Sequence, residues 1–114
     1  MGIFRLYTNS YGKSQIDELD LSTHPELTSA ISTQHIFFRQ WEPGHFIDWH
    51  PAPRRQYIVS LSGIVDVGLE DGTIHRFMPG DARLVEDTTG KGHTTRVPGS
   101  AGDEPSVTAV IPLV

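Results

Sequence analysis

The sequence predicts an all-β fold, either a sandwich or a barrel. Short stretches rich in β-branched and aromatic residues recur along the chain, and several of them alternate apolar with polar residues. The 114 residues include 11 glycines and 8 prolines, which are spread along the chain as turns between short strands would require. No stretch keeps a sustained helical period. A barrel or a jelly roll would also protect the strand edges that such a fold exposes.

The N-terminal third contains two predicted strands. Residues 3–7 (Ile-Phe-Arg-Leu-Tyr) form the first, and residues 35–41, which contain three aromatic side chains, form the second. Between them, residues 17–31 are polar with scattered leucines and leave room only for a short helical turn. Residues 42–45 (Glu-Pro-Gly-His) predict a turn, because Pro presets φ and Gly tolerates positive φ.

The remainder of the chain has a more regular pattern of strands and turns. Val65, Val67 and Leu69 alternate with polar residues or glycine, and Asp71-Gly72 is the type of dipeptide that closes a tight hairpin. Turns or loops are also predicted at 62–63, 78–81 and 86–93. The strands of this part are predicted at 56–61, 65–69, 74–77, 82–85 and 107–111.

Composition excludes several classes of function. The chain has no cysteine, so it forms no disulfide and no thiolate site. Its formal net charge is −5 and no segment is strongly basic, which argues against a nucleic-acid-binding protein. The N-terminus lacks the pattern of a signal peptide, and no apolar run is long enough to span a bilayer. We therefore expect a soluble, cytoplasmic protein that contacts neither nucleic acid nor membrane.

Four residues around positions 44–63 carry a family resemblance. Five residues separate Gly44 from His50, and six separate Gln56 from Gly63. This stretch resembles the first sequence motif of the cupins, which places Gly, two His, Glu and Gly at these spacings. Ala52 stands where that motif has its second His, and Gln56 stands where it has Glu.

A second stretch resembles the second cupin motif, which runs from a Gly at a turn, along a strand, to a His. Gly80 and His93 match these positions, with two extra residues in the loop before the His, and Val97 replaces the usual Asn. The resemblance implies a single domain over residues 1–114 with an all-β, cupin-type jelly-roll barrel (double-stranded β-helix). Its core would span about 36–111, preceded by a strand and an irregular segment over 1–34. By analogy with small cupins, the resemblance also implies a homodimer.

In cupins, residues of the two motifs project metal ligands into the barrel. The resemblance therefore implies a site made of His50, Gln56 and His93, holding a divalent transition metal such as Fe, Mn, Ni or Zn. Because an amide oxygen is a weaker ligand than a carboxylate, such a metal would be loosely held. A second hypothesis is a metal-free pocket in which His50 and His93 act as hydrogen-bonding or acid–base groups. A third is a purely structural role for both histidines.

Four charged residues are candidates for the substrate pocket: Arg54, Arg55, Arg83 and Glu86. A guanidinium that faces the pocket would select an anionic ligand, because its donors match carboxylate or phosphate. The alternative is a salt bridge to an acidic residue, for at least one of Arg54 and Arg55. If Arg83 faces the interior, Glu86 is its candidate partner.

These residues favour a protein that binds a small, perhaps anionic, organic molecule inside a barrel. Whether it is a metal-assisted enzyme or a metal-free, non-catalytic binding module stays open, because a fold does not determine a function. An interaction protein with a filled barrel interior is a further alternative. The sequence predicts neither the substrate nor the reaction.

Overall fold

Ten β-strands and one turn of 3₁₀ helix make up the regular structure. The computed structural model describes all 114 residues. The strands are β1 (Ile3–Thr8), β2 (Ser14–Leu19), β3 (Phe37–Trp41), β4 (Phe46–His50), β5 (Gln56–Ser62), β6 (Val65–Gly68), β7 (Ile74–Phe77), β8 (Ala82–Val85), β9 (His93–Arg96) and β10 (Ser106–Pro112), and the 3₁₀ turn is Pro25–Thr28. No helical segment has the length and apolar character that crossing a membrane requires.

The strands form two sheets. The larger has the order β2-β1-β8-β5-β10-β3, and the smaller has the order β4-β9-β6-β7. Every neighbouring pair is antiparallel except β1 and β8, which are parallel. The architecture is therefore all-β and consists of two facing sheets, which confirms the predicted fold class.

The core lies between the two sheets. Along β5, Gln56, Ile58 and Ser60 are buried while the residues between them are less so, because successive side chains of a strand point to opposite faces. Burial of apolar side chains between the sheets supplies the main stabilising term. The largest apolar cluster is formed by Leu6, Ala52, Ile58, Val65, Val67, Leu69, Phe77, Val85 and Val110.

Most of the predicted strands are present within one or two residues of their predicted bounds. The hairpin at Asp71-Gly72 is also confirmed. Gly72 has a φ of 88°, and the Asp71 side chain accepts a hydrogen bond of 2.8 Å from the backbone amide of Thr73. Local turn chemistry therefore determines this connection.

Three strands were not predicted: β2, β4 and β9. Each is polar or irregular in its sequence, and β9 reads His-Thr-Thr-Arg. They are strands because neighbouring strands satisfy their backbone groups: β2 pairs with β1, and β9 pairs with both β4 and β6. Within the segment 17–31, the predicted short helical turn is present at Pro25–Thr28, but residues 17–19 belong to β2.

Strands β3 and β4 lie at the edges of different sheets. They are joined by the turn over residues 42–45, as predicted. The Gly44 amide in this turn donates a hydrogen bond of 2.8 Å to the carbonyl of Val97. The chain passes here from the larger sheet to the smaller one. The candidate site lies between the sheets next to these two edges.

Candidate functional site

A cavity of about 290 Å³ lies between the two sheets. The larger sheet contributes lining residues from β1, β3, β5 and β8, and the smaller sheet contributes them from β4, β6 and β9. One wall is apolar and belongs to the core, through Leu6, Ala52, Ile58, Val67 and Val85. The remaining lining is dominated by polar and cationic side chains.

His50 and His93 line this cavity together. They are register partners across β4 and β9, and their ring centroids are 4.6 Å apart. Gly92 makes this pairing possible. A side chain at that position would overlap the carbonyl oxygen of His50, and its φ of 80° favours glycine. The two histidines that the sequence identified from separate motifs are thus adjacent in space.

Each histidine is oriented by a hydrogen bond at Nδ1. The Nδ1 of His93 is 2.5 Å from Oδ2 of Asp87, a completely buried carboxylate that also accepts a hydrogen bond of 2.6 Å from the Ser14 hydroxyl. The Nδ1 of His50 is 2.7 Å from the carbonyl oxygen of Asp48. Because both partner oxygens act as acceptors, the proton is assigned to Nδ1 in each ring. In a neutral ring of this tautomer, Nε2 can accept a proton or a hydrogen bond.

Gln56 and Arg54 form a second polar group in the lining. Gln56 is buried on β5, and its Oε1 accepts a hydrogen bond of 3.0 Å from Nη1 of Arg54. Arg54 lies in the loop before β5 and is exposed to solvent. The Gln56 amide therefore holds the guanidinium of Arg54 at the cavity.

Arg83 and Arg39 supply two further guanidinium groups. Arg83, on β8, is only 4% exposed, and its guanidinium carbon lies 4.6 Å from the ring centroid of Phe77. Arg39, on β3, lies 4.3 Å from the ring centroid of Trp41. Neither residue has a carboxylate within ion-pair distance, and Nη1 of Arg83 and Nε of Arg39 are buried without a hydrogen-bond partner.

The pKa values of both arginines reflect this environment. Burial and, to a smaller extent, the positive charge of Arg39 lower the pKa of Arg83 to about 9, against an opposing effect of Asp81. Burial also lowers the pKa of Arg39, and the charge of Arg54 adds to that effect. The cavity therefore concentrates positive charge, while no Asp or Glu side chain lines it.

Comparison with solved structures identifies the architecture. A cupin-2 domain-containing protein from Shewanella frigidimarina superimposes with a TM-score of 0.52 at 12% identity, covering 84% of this chain and 94% of that one. A predicted oxalate decarboxylase from Thermotoga maritima gives 0.50 at 16% identity, covering 99% and 94% of the two chains. This chain has the cupin fold. A protein from Neisseria meningitidis, with a TM-score of 0.51 at 14% identity, covers 86% of this chain and 100% of its own length.

The sequence resemblance to small cupins is thus confirmed for the fold. No protein-family model matches the chain, and no curated protein matches it either. At these identities the likeness concerns the backbone architecture alone. The chemistry of this cupin domain must therefore be argued from its own residues.

The residues at the cupin metal position do not fit a divalent cation well. Only two imidazoles are available, since Ala52 offers no ligand atom and Oε1 of Gln56 is engaged by Arg54. No group of three or more His, Cys, Asp or Glu side chains comes together anywhere in the structure. A cation would also be repelled by the guanidinium groups. We therefore derive no chemistry through a metal.

Arg55 and Glu86 do not line the cavity, unlike the other candidates for the substrate pocket. Nε of Arg55 and Oε2 of Glu86 are 2.5 Å apart, and Nε of Arg5 is 2.8 Å from Oε1 of Glu86. The alternation along the strands explains this placement. Gln56 on β5 and Val85 on β8 face the cavity, so the residues adjacent to them, Arg55 and Glu86, face the opposite side.

A salt bridge to an acidic residue was the alternative role for at least one of Arg54 and Arg55. The structure shows such a salt bridge for Arg55, with Glu86 as its partner. Arg83 does face the interior, as the sequence allowed, but Glu86 is not its partner. Of the two tryptophans next to the first motif, Trp41 lines the cavity. Trp49 instead lies under the amino group of Lys91, at 4.4 Å from its ring centroid.

Arg39 was not among the predicted site residues, and the contact of Asp87 with His93 was not predicted either. A signal for Arg39 was available: it lies between Phe37 and Trp41 in the predicted strand 35–41, at the alternating positions that share a face. All three of these side chains line the cavity. Asp87 lies in a loop between β8 and β9, and only the tertiary structure places its carboxylate behind His93.

Proposed function

We propose that this cupin domain binds a small organic anion in the cavity between its sheets. One observation carries the proposal: Arg83 is buried, has a donor without a partner, and faces a cavity with two further arginines and no carboxylate. A buried cation without a counterion is costly, and proteins usually pair such charges. An anionic group of a ligand would supply the missing acceptor and the missing charge.

The size and the walls of the cavity favour an organic anion over an inorganic one. Its volume of about 290 Å³ lies at the lower end of the range for ligand pockets. Eight of its sixteen lining residues are hydrophobic, so a ligand with an apolar part would bury surface there. We infer a small carboxylic acid as the ligand class.

The proposal is tested by binding measurements with defined carboxylates. Purified protein is titrated by calorimetry with acetate, butyrate, benzoate, succinate and phosphate, and its melting temperature is measured with each. Saturable binding of at least one carboxylate is expected, accompanied by a rise in the melting temperature. Arg83→Met should abolish this binding.

Arg76→Met is the matched control, because Arg76 lies on β7 and pairs with Asp66 away from the cavity. It should leave carboxylate binding unchanged. If no carboxylate binds to the wild-type protein at millimolar concentrations, or if Arg83→Met binds as well as wild type, the proposal is wrong.

A second candidate function is proton transfer on the bound anion. The specific observation in its favour is the buried Asp87, which holds Nδ1 of His93 and leaves Nε2 available. A base placed in this way removes a proton from carbon, and the nearby guanidinium groups stabilise the negative charge that develops. The proton returns to carbon when the step reverses.

This second function is measured by NMR as deuterium exchange at C3 of 2-oxoglutarate in heavy water. Catalysed exchange in the wild type that is lost in His93→Gln would support it. Binding of carboxylates without any catalysed exchange would leave a non-catalytic binding module.

The homodimer that the resemblance implies stays a proposal. Light scattering of the purified protein measures it directly, and a mass of one chain, about 12.6 kDa, would contradict it.

A further inference from the structure

The cationic groups of the cavity lie at different depths. Arg54 is exposed and is bound to Gln56 at the start of β5. Arg83 is buried and pairs in register with Ile58, two residues further along β5. Two residues of a strand span roughly 7 Å. The cavity therefore has an outer cationic group at Arg54 and an inner one at Arg83.

Arg39 belongs to the inner group. Through β10, it lies in the same row of the sheet as Ser60, because Thr108 is the register partner of both. The buried polar atoms without a hydrogen-bond partner on this sheet are Nε of Arg39, Oγ of Ser60 and Nη1 of Arg83. In contrast, the guanidinium of Arg54 donates a hydrogen bond to Gln56. The inner group is thus the one that lacks acceptors.

The mutual influence of the three charges agrees with this order. Arg39 lowers the pKa of Arg83, and Arg54 lowers the pKa of Arg39, whereas Arg54 is not among the groups that act on Arg83. Arg39 is therefore close enough to each of the other two arginines for their charges to interact. The positive charge extends along the cavity and is not concentrated at one point.

Part of the cavity wall is apolar. Ile58, Val67 and Val85 line it, and none of them offers a hydrogen bond through its side chain. A ligand that reaches from Arg83 to Arg54 would place aliphatic carbon against these residues. His50 and His93 are the only ionisable side chains that line the cavity besides the arginines.

We infer that the ligand is a short aliphatic dicarboxylate, with one carboxylate bound by Arg83 and Arg39 inside and the other bound by Arg54 at the outer end. This inference rests on the proposed anion binding and names its substrate class. The inner carboxylate supplies the acceptors that Arg83 and Arg39 lack. The outer carboxylate accepts from the donors of Arg54 that Gln56 does not use.

The test compares acids of equal chain length that differ in one carboxylate: butyrate with succinate, and pentanoate with glutarate. Calorimetric titration of the wild type should give a dissociation constant more than about tenfold lower for each diacid than for its monoacid, because a second charge-assisted contact forms. Arg54→Gln should remove this difference, because it should weaken diacid binding at least about tenfold more than it weakens monoacid binding. Arg55→Gln is the matched control, since Arg55 faces away from the cavity, and it should retain the difference.

The outcomes distinguish a failure of the dicarboxylate inference from a failure of the proposed anion binding. If monoacids and diacids bind the wild type equally well, or if Arg54→Gln weakens both classes equally, the two-group inference is wrong while anion binding stands. If neither class binds, the proposed function itself is wrong. A diacid preference that Arg54→Gln removes and Arg55→Gln retains would support the inference.

Discussion

The imidazole of His93 is held by the carboxylate of Asp87, with 2.5 Å between Nδ1 and Oδ2, and this carboxylate has no exposure to solvent. The contact joins the loop after β8 to the first residue of β9. It sets the direction in which the His93 ring presents its other nitrogen to the cavity. Ser14 on β2 donates a second hydrogen bond to the same oxygen, at 2.6 Å.

Asp87→Asn is expected to lower the free energy of unfolding by about 1.5 to 3 kcal/mol, the usual range for hydrogen bonds to charged groups. Ser14→Ala removes only one of the hydrogen bonds to this carboxylate, so it should cost less than Asp87→Asn, about 1.5 kcal/mol. Urea denaturation measures both. In the ¹⁵N spectrum, the proton of His93 should reside on Nδ1 in the wild type and redistribute in Asp87→Asn. An unchanged tautomer would mean that Asp87 does not orient this ring.

Gly92→Ala is expected to destabilise the protein far more than an alanine at another glycine of similar backbone geometry. Its Cβ would overlap the carbonyl oxygen of His50, in addition to the strain of its positive φ. Gly72 is the control, because its φ of 88° is similar but no atom lies within 4 Å of a Cβ added there. Gly72→Ala should cost about 1 to 2 kcal/mol, the conformational term alone. Urea denaturation measures the free energy of unfolding of both variants. An equal decrease in the two would show that β4 can move away from the added Cβ without a loss of stability.

The ion pairs of Glu86 predict a dependence of stability on pH. Burial alone would raise the pKa of Glu86, but hydrogen bonds from Arg5 and Arg55 outweigh it and hold the pKa below its ordinary value of 4.5. The folded state therefore binds this proton less readily than the unfolded chain does. The stabilisation is complete well above pH 4.5 and is lost as the pH falls through 4.5 towards the lower folded-state pKa.

Glu86→Gln should therefore melt at a lower temperature than the wild type at pH 7. The difference should shrink when both proteins are melted at pH 3.5. Because these groups are partly solvated, the difference at pH 7 will be a few degrees at most. A difference that grows at acid pH would contradict the assignment.

Arg83→Met is expected to raise the stability of the ligand-free protein while it abolishes anion binding. The guanidinium of Arg83 is buried without a carboxylate partner, and its replacement by an apolar side chain removes a desolvation cost. A gain on the order of 1 kcal/mol is expected, measured by urea denaturation of the dialysed protein. A large loss of stability would mean that Arg83 is a structural residue.

Elemental analysis of untagged, chelator-free protein is expected to find no stoichiometric transition metal, also after incubation with Fe, Mn, Ni or Zn salts. The two imidazoles lack a third ligand of the usual kinds, and three arginines line the same cavity. His50→Ala is the reference. If the wild type contains one metal ion per chain and His50→Ala contains none, the proposal that the cavity binds its anion without a metal is wrong.

Much of the fold could be predicted because its signals are local. The alternation over residues 65–69 and the Asp71-Gly72 turn identify a hairpin without any knowledge of the rest of the chain. In contrast, β9 is polar, and its strand conformation depends on hydrogen bonds to β4 and β6. Such a strand has no periodic pattern of its own, so it could not be predicted from its residues.

The candidate site was predictable to a similar extent. The two motifs placed His50, Gln56 and His93 together, and all three line one cavity. Arg55 was a candidate because it lies between His50 and Gln56, and Glu86 was one as the candidate partner of Arg83. Each adjoins a residue that faces the cavity and therefore faces the opposite side. The contact of Asp87 with His93 was not predicted, because Asp87 lies in a loop without a periodic pattern and only the folded chain places its carboxylate beside the ring.

The cupin architecture was indicated by the resemblance to the two cupin motifs. The positions of the turns and the apolar faces of the central strands follow from the sequence alone. These properties depend on backbone preferences and on residue periodicity, which act over a few neighbouring residues. The folded chain was needed to show that Arg39, Arg54 and Arg83 line one cavity without a carboxylate. They come from β3, β8 and a loop, and the charge balance of a cavity depends on which strands are paired and which faces meet.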